Sequence, residues 1–154
     1  MEYSLDSSAI IETWVRGFPP ELFPLVWSKL EELIQNEVLR ASEEVLIELE
    51  KKDDRVYQWA MQRPHMFLPS TVPIQRCVKD ILAQYPRLID TRKNRSGADP
   101  FVIAVAMLHG CAVISEENPT YSMNRPKIPD VCAGLGIRCL NMLQLFREQG
   151  WVFE

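Results

Sequence analysis

The sequence has only two histidines, His65 and His109, and its four cysteines, Cys77, Cys111, Cys132 and Cys139, show no CxxC spacing. A zinc site of paired cysteines and histidines is therefore not expected, and buried free thiols are the plain reading of the cysteines. There is no GxxxxGK phosphate loop, no GxGxxG, no GxSxG elbow and no HExxH helix. P-loop, dinucleotide-binding, hydrolase-elbow and zincin chemistry all drop out with them. Basic charge is short as well: 17 Lys and Arg against 21 Asp and Glu give a net charge of -4, without the global basic signature of a protein that coats nucleic acid. No apolar run reaches membrane-spanning length, and "MEYSLDSSAII" carries no basic leader, so a cytoplasmic protein with no membrane contact is expected.

What is present is an ordinary globular composition, 47% hydrophobic and 25% charged over 154 residues, most simply one domain spanning 1–154. The strand-like "YSL" leads into "SSAIIETWVRGF", where Ile10, Ile11, Trp14 and Val15 fall at helical spacing behind a cap at Ser7 or Ser8. In "LVWSKLEELIQNE" the apolar residues Val26, Trp27, Leu30, Leu33 and Ile34 share one face, which marks an amphipathic helix. "VLRAS" is a short strand candidate whose Ser42 can cap the helix "EEVLIELEKKD". "DRVYQWAMQRP" and "VPIQRCVKDILAQYP" read as two helices, each closed by proline, with "HMFLPSTVP" as a connection between them.

In "GADPFVIAVAMLHG" Pro100 takes the first helical position and the helix is apolar on nearly every face up to Gly110, as a helix buried on more than one side would be. "CAVIS" then reads as a buried parallel strand, "GIRCLN" as a last strand and "MLQLFREQGW" as a last helix. Strands that alternate with helices, too far apart for hairpins, predict an α/β protein with a parallel sheet between helical layers. In such folds the functional crevice lies beyond the carboxyl ends of the strands.

Acidic residues collect at those ends. Asp6 follows the first strand, Glu43, Glu44 and Glu48 follow the second, Asp99 opens the buried helix, and Glu116 and Glu117 follow "CAVIS". Taken singly, Asp6 and Asp99 read equally well as helix caps, Glu48 as a solvated helix residue and the 116/117 pair as a polar turn. Gathered at one edge, four carboxylates repel one another unless protons or cations compensate them. An oxygen-rich, nitrogen-poor site suits Mg2+ or Mn2+. Just ahead of Asp99, "PRLIDTRKNRSGAD" holds Arg87, Arg92, Lys93 and Arg95, which read as a solvated loop or as a phosphate anchor.

These residues resemble a known pattern. "YSLDSSAII" is similar to the opening of PIN-domain nucleases, "SEEVLIELEK" to their second motif, "ADPFVIAVAMLHG" to their third and "AVISEEN" to their fourth. The endings "KIPDVC" and "LNMLQLFREQGW" resemble a bacterial branch of PIN-like proteins that carries a domain-of-unknown-function label, related to the VapC-type toxins of toxin–antitoxin pairs. The resemblance implies a three-layer α/β/α sandwich around a central parallel sheet of four or five strands.

It further implies a metal-dependent endoribonuclease in which Asp6, Glu48, Asp99 and Glu117 are catalytic and hold one or two Mg2+ or Mn2+ ions. Ser8 and Ser115 would orient the carboxylates; apart from the resemblance, the proximity of Arg92, Lys93 and Arg95 to Asp99 suits them to help hold the RNA backbone. Glu44 lies one turn from Glu48 and is not separated from it by a helical wheel. Glu116 and Asp130 are secondary candidates. The implied partners are RNA and an antitoxin protein, with a homodimer through the helices around Trp14, Trp27 and Trp59 as a further option. Glu117 stands where the wider family more often has aspartate, which keeps open a catalytically weak or inactive module that binds RNA or a protein.

Overall fold

The computed structural model describes residues 1–89 and 97–154. Arg92, Lys93 and Arg95 lie outside the described residues. A single sheet of five parallel strands runs β3-β2-β1-β4-β5, with β1 at Tyr3–Leu5, β2 at Leu39–Ser42, β3 at Phe67–Leu68, β4 at Ala112–Ile114 and β5 at Cys139–Leu140. Tyr3 pairs with Leu39 on one side and with Ala112 on the other, so β1 is the middle strand. All three of its residues are buried, as expected of a strand covered on both faces.

Eight α-helices flank the sheet among the described residues: α1 (Ser7–Glu12), α2 (Pro24–Gln35), α3 (Glu43–Lys52), α4 (Asp54–Met61), α5 (Val72–Gln84), α6 (Asp99–His109), α7 (Ile128–Leu135) and α8 (Met142–Glu148). None is long and apolar enough to cross a membrane. The predicted α/β architecture with a parallel sheet is what the chain adopts.

Local chemistry explains most helix boundaries. Ser42 caps α3 by accepting from the Glu44 amide at 3.1 Å, and the helix ends in Lys51 and Lys52, which complement its dipole. Asp53 does the same for α4 through the Val56 amide at 3.1 Å. Asn141 and Gln144 close a reciprocal capping box on α8, with both bonds at 2.8 Å. Gly110 ends α6 at φ 61°, a left-handed position that glycine takes without the steric cost of a Cβ.

The central helix α6 is buried along Val102, Ile103, Ala104, Val105 and Ala106 and packs against β1, β2, β4, α5 and α7. The buried Ser4 hydroxyl donates to the Val102 carbonyl at 2.8 Å, tying β1 to α6. Trp14, Trp27 and Trp59 pack edge to face at 5.0 to 6.3 Å within the chain, and Trp27 Nε1 donates to the Phe18 carbonyl at 2.7 Å. That trio joins α2 and α4 to the turn after α1. All four cysteines are free.

Several boundaries differ from the sequence reading. The cap of α1 is Asp6, and Ser7 and Ser8 lie inside the helix. That helix widens after Glu12 into a π turn over Thr13–Gly17, closed by the Phe18 amide on the Thr13 carbonyl. Ala98 occupies the cap of α6, which places Asp99 first and Pro100 second in the helix. The connection "HMFLPSTVP" contains β3, and "IPDVCAGL" forms α7, which periodicity did not reveal.

Candidate metal centre

Three of the proposed acids converge. One carboxylate oxygen each from Asp6, Glu48 and Asp99 lies within 4.8 Å of the others, and this is the one such group of potential metal ligands among the described residues. Asp6 and Glu48 are 1% and 3% exposed, and Asp99 is 9% exposed. The topology accounts for the meeting. Asp6 leaves the carboxyl end of the middle strand, Glu48 faces inward from the second turn of the helix after β2, and Asp99 is carried by the helix that packs on β1 and β2.

Asp6 stands at a cap position but makes no side-chain cap bond. Its Oδ2 accepts instead from the Ser8 hydroxyl at 2.5 Å and the Ser115 hydroxyl at 2.9 Å. Those hydroxyls are held in turn, Ser8 accepting from the Glu116 amide at 3.0 Å and Ser115 from the Glu117 amide at 3.1 Å. The carboxylate of the first strand is thus fixed by the chain that follows β4.

Glu48 is fixed from two sides that the sequence reading did not identify. The Ser7 hydroxyl donates to its Oε1 at 2.5 Å, and Lys52 Nζ lies 2.5 Å from the same oxygen. A glutamate four residues before a lysine was a visible signal for the second contact. Ser7 adjoins Asp6 in sequence and was read as a cap. Glu44, by contrast, is half-buried and belongs to the capped first turn, outside the cluster.

The remaining acids serve neighbouring helices. Glu117 Oε2 accepts from the Ile128 amide at the start of α7 at 3.1 Å. Its charge nevertheless acts on both Asp6 and Asp99, so it stands at the rim of the cluster. Glu116 Oε1 accepts from the Met142 amide at the start of α8 at 2.8 Å. Asp130 is anchored away from the cluster by the Thr120, Tyr121 and Lys127 amides at 2.8 to 3.0 Å. Burial would raise its pKa, but these donors outweigh it and hold the carboxyl below its ordinary value. Asp130→Ala is therefore expected to destabilise the fold by about 2 kcal/mol, the scale of lost bonds to a charged group, without changing the Mn2+-induced rise in Tm. Thermal melts with and without Mn2+ check both parts.

The electrostatics of the cluster are those of an uncompensated acidic site. Burial, then the charges of Glu117 and Glu48, push the Asp6 carboxyl up to about 7 against the opposing bonds from Ser8 and Ser115. Burial, then Asp6, Glu117 and Glu48, push Asp99 up to about 9, with Lys52 opposing. Partial burial alone would lower the Lys52 pKa, but the hydrogen bond to Glu48 and the surrounding carboxylates outweigh it and hold the ammonium above its ordinary value. Lys52 neutralises one acid of the three.

The donors are all carboxylate oxygens, with no imidazole or thiolate in the set, which suits a hard cation such as Mg2+ or Mn2+. Such a charge would replace the protons that Asp6 and Asp99 otherwise retain. No protein in the curated collection matches the chain. A family of proteins described as a domain of unknown function, DUF4411, matches residues 3–153. That match covers every strand and helix around the acidic cluster, and the chain belongs to the DUF4411 family.

Proposed function

We propose that this chain is a Mg2+- or Mn2+-dependent endoribonuclease that hydrolyses phosphodiester bonds of RNA. The observation that carries the proposal is the convergence of Asp6, Glu48 and Asp99 at the carboxyl edge of a parallel sheet. Three buried carboxylates, of which Asp6 and Asp99 have raised affinity for protons, form a site whose charge a divalent ion would compensate. An ion held there supplies the charge that polarises a phosphate oxygen and lowers the pKa of water.

The chain's own residues have distinct parts in this reading. Asp6, Glu48 and Asp99 hold the ion, while Ser8, Ser115 and Ser7 fix the orientation of Asp6 and Glu48. Glu117 retains Oε1 to complete the set, since Oε2 is engaged by α7. Lys52, half exposed, supplies a positive charge at the rim where a phosphate would arrive. The resemblance to VapC-type toxins extends the proposal to a toxin held in check by a separately encoded antitoxin.

The test uses the purified chain and an end-labelled single-stranded RNA. Cleavage is expected with Mg2+ or Mn2+ and none with EDTA, and the products carry a 5′ phosphate. Metal-dependent cleavage that survives in both Asp6→Asn and Asp99→Asn would overturn the assignment. The Glu48–Lys52 pair, an internal counter-charge already in place, favours a second reading as a non-catalytic module that binds RNA or a protein. That reading requires Tm to be indifferent to Mn2+.

A further inference from the structure

Beside the acidic cluster, residues 115–121 after β4, the strand β5 and parts of α7 and α8 line a groove of about 480 Å3. Ser115, whose hydroxyl donates to Asp6, and Glu117, at the rim of the cluster, both line it, so the groove adjoins the cluster. At its lip stands Tyr121, 90% exposed and at φ 57°, a left-handed conformation unfavourable for a bulky residue. The strain is imposed from outside the tyrosine. The Asp130 carboxylate accepts from the Thr120 and Tyr121 amides on one side of the loop and from the Lys127 amide on the other.

A ring so exposed contributes little burial to the fold, and a glycine would take the same backbone conformation without strain. A strained, rigidly held, exposed aromatic beside a functional site is a reason to look for a ligand. The groove adds apolar walls at Pro129 and Leu140 and two amide side chains, Asn141 and Gln144. Their capping box uses both amide oxygens and leaves both NH2 groups as donors. Flat apolar faces with acceptor edges are the chemistry of a nucleobase.

We propose that this groove is a nucleobase subsite. It takes an unstacked base of a single-stranded RNA next to the phosphate at the acidic cluster, with Tyr121 as the stacking platform. The inference rests on the ribonuclease reading for the identity of its ligand.

The experiment measures binding of a fluorescein-labelled, cleavage-resistant phosphorothioate oligouridylate decamer in Mn2+, beside a matched decamer without bases. Tyr121→Ala is expected to weaken binding of the base-bearing decamer about tenfold, the scale of one lost base–aromatic stack. Tyr121→Phe should remain within about twofold of the parent because the ring is kept. Tyr121→Gly should bind as poorly as Tyr121→Ala while raising Tm by about 2–4 °C, which a merely structural tyrosine would not do.

Equal binding by Tyr121→Ala and the parent, equal binding of the two decamers, or no binding of either by the parent would each overturn the subsite. The ribonuclease reading is tested separately on ordinary RNA. Tyr121-dependent binding without any cleavage leaves the subsite standing and removes the nuclease, whereas cleavage with a KM unchanged in Tyr121→Ala does the reverse.

Discussion

Asp99→Asn is expected to abolish Mn2+-induced stabilisation and to reduce metal-dependent RNA cleavage on the order of a thousandfold, while the metal-free protein melts higher than the parent. Asparagine keeps the size and shape of the side chain at the first position of α6, and the cap of that helix is Ala98. The substitution therefore removes charge without removing a cap. In the parent, burial and the carboxylates of Asp6, Glu117 and Glu48 oblige Asp99 to hold a proton in the fold that the unfolded chain does not hold at neutral pH, and asparagine avoids that cost. The same substitution withdraws one of three carboxylates from a divalent ion. Opposite signs for metal-free stability and metal binding are the signature of a ligand set held together at a cost. Melting curves with and without Mn2+, read beside a cleavage assay, measure all three quantities. An undiminished Mn2+ response in this variant would remove Asp99 from the site.

The stability of the metal-free protein should fall as pH rises from about 4 towards 9, and Mn2+ should reverse the trend. In the unfolded chain both aspartates ionise near their ordinary value of 3.8. In the fold they keep their protons up to about 7 for Asp6 and about 9 for Asp99. Across that interval the folded state binds more protons than the unfolded one, so unfolding free energy declines with pH. The slope is about 1.4 kcal/mol per pH unit for each carboxyl that is protonated only in the fold. The contribution of Asp6 is spent by about pH 7, and that of Asp99 continues to about 9. Mn2+ must displace these protons, so its stabilising effect grows over the same interval. Urea unfolding at pH 5.5 and 8.5, each with Mn2+ and with EDTA, reads the trend. A metal-free protein no less stable at the higher pH would mean that the acids are not neutral in the fold.

Much of this architecture was legible because the strands around the cluster announce themselves. "YSLD" and "CAVIS" each change abruptly from apolar to polar at a strand's carboxyl end, and "LRAS" runs directly into the capped helix α3. β3 was not legible because two residues, Phe67 and Leu68, are too few to show a period of two. α7 was hidden by its brevity and by Gly134, which dilutes the helical pattern. Asp6 could be nominated from its place at a strand end and Asp99 from its place at the start of the buried helix, whereas Glu48 was preferred through the resemblance, whose second motif is a glutamate followed by leucine. Spacing alone left Glu44 and Glu48 equivalent, because they share a helix face one turn apart. Burial separates them, and burial depends on how α3 packs, which the local sequence does not encode. The donors to Glu48 escaped notice for a similar reason: Ser7 is three-dimensionally, not sequentially, near it.

The position of β1 in the middle of the sheet also sets an order of events during synthesis. Its partner on one side, β2, leaves the ribosome soon after it, but its partner on the other side is β4, and between them the chain must deliver α6 with Asp99. Ser115, which fixes Asp6, follows β4. Until Asp99 has emerged, Asp6 and Glu48 lack their third carboxylate, and until Ser115 has emerged Asp6 has the Ser8 hydroxyl alone. A nascent chain would thus carry its acids in an unassembled form, and the centre would close only when the long-range pairing of β1 with β4 joins the two halves of the sheet.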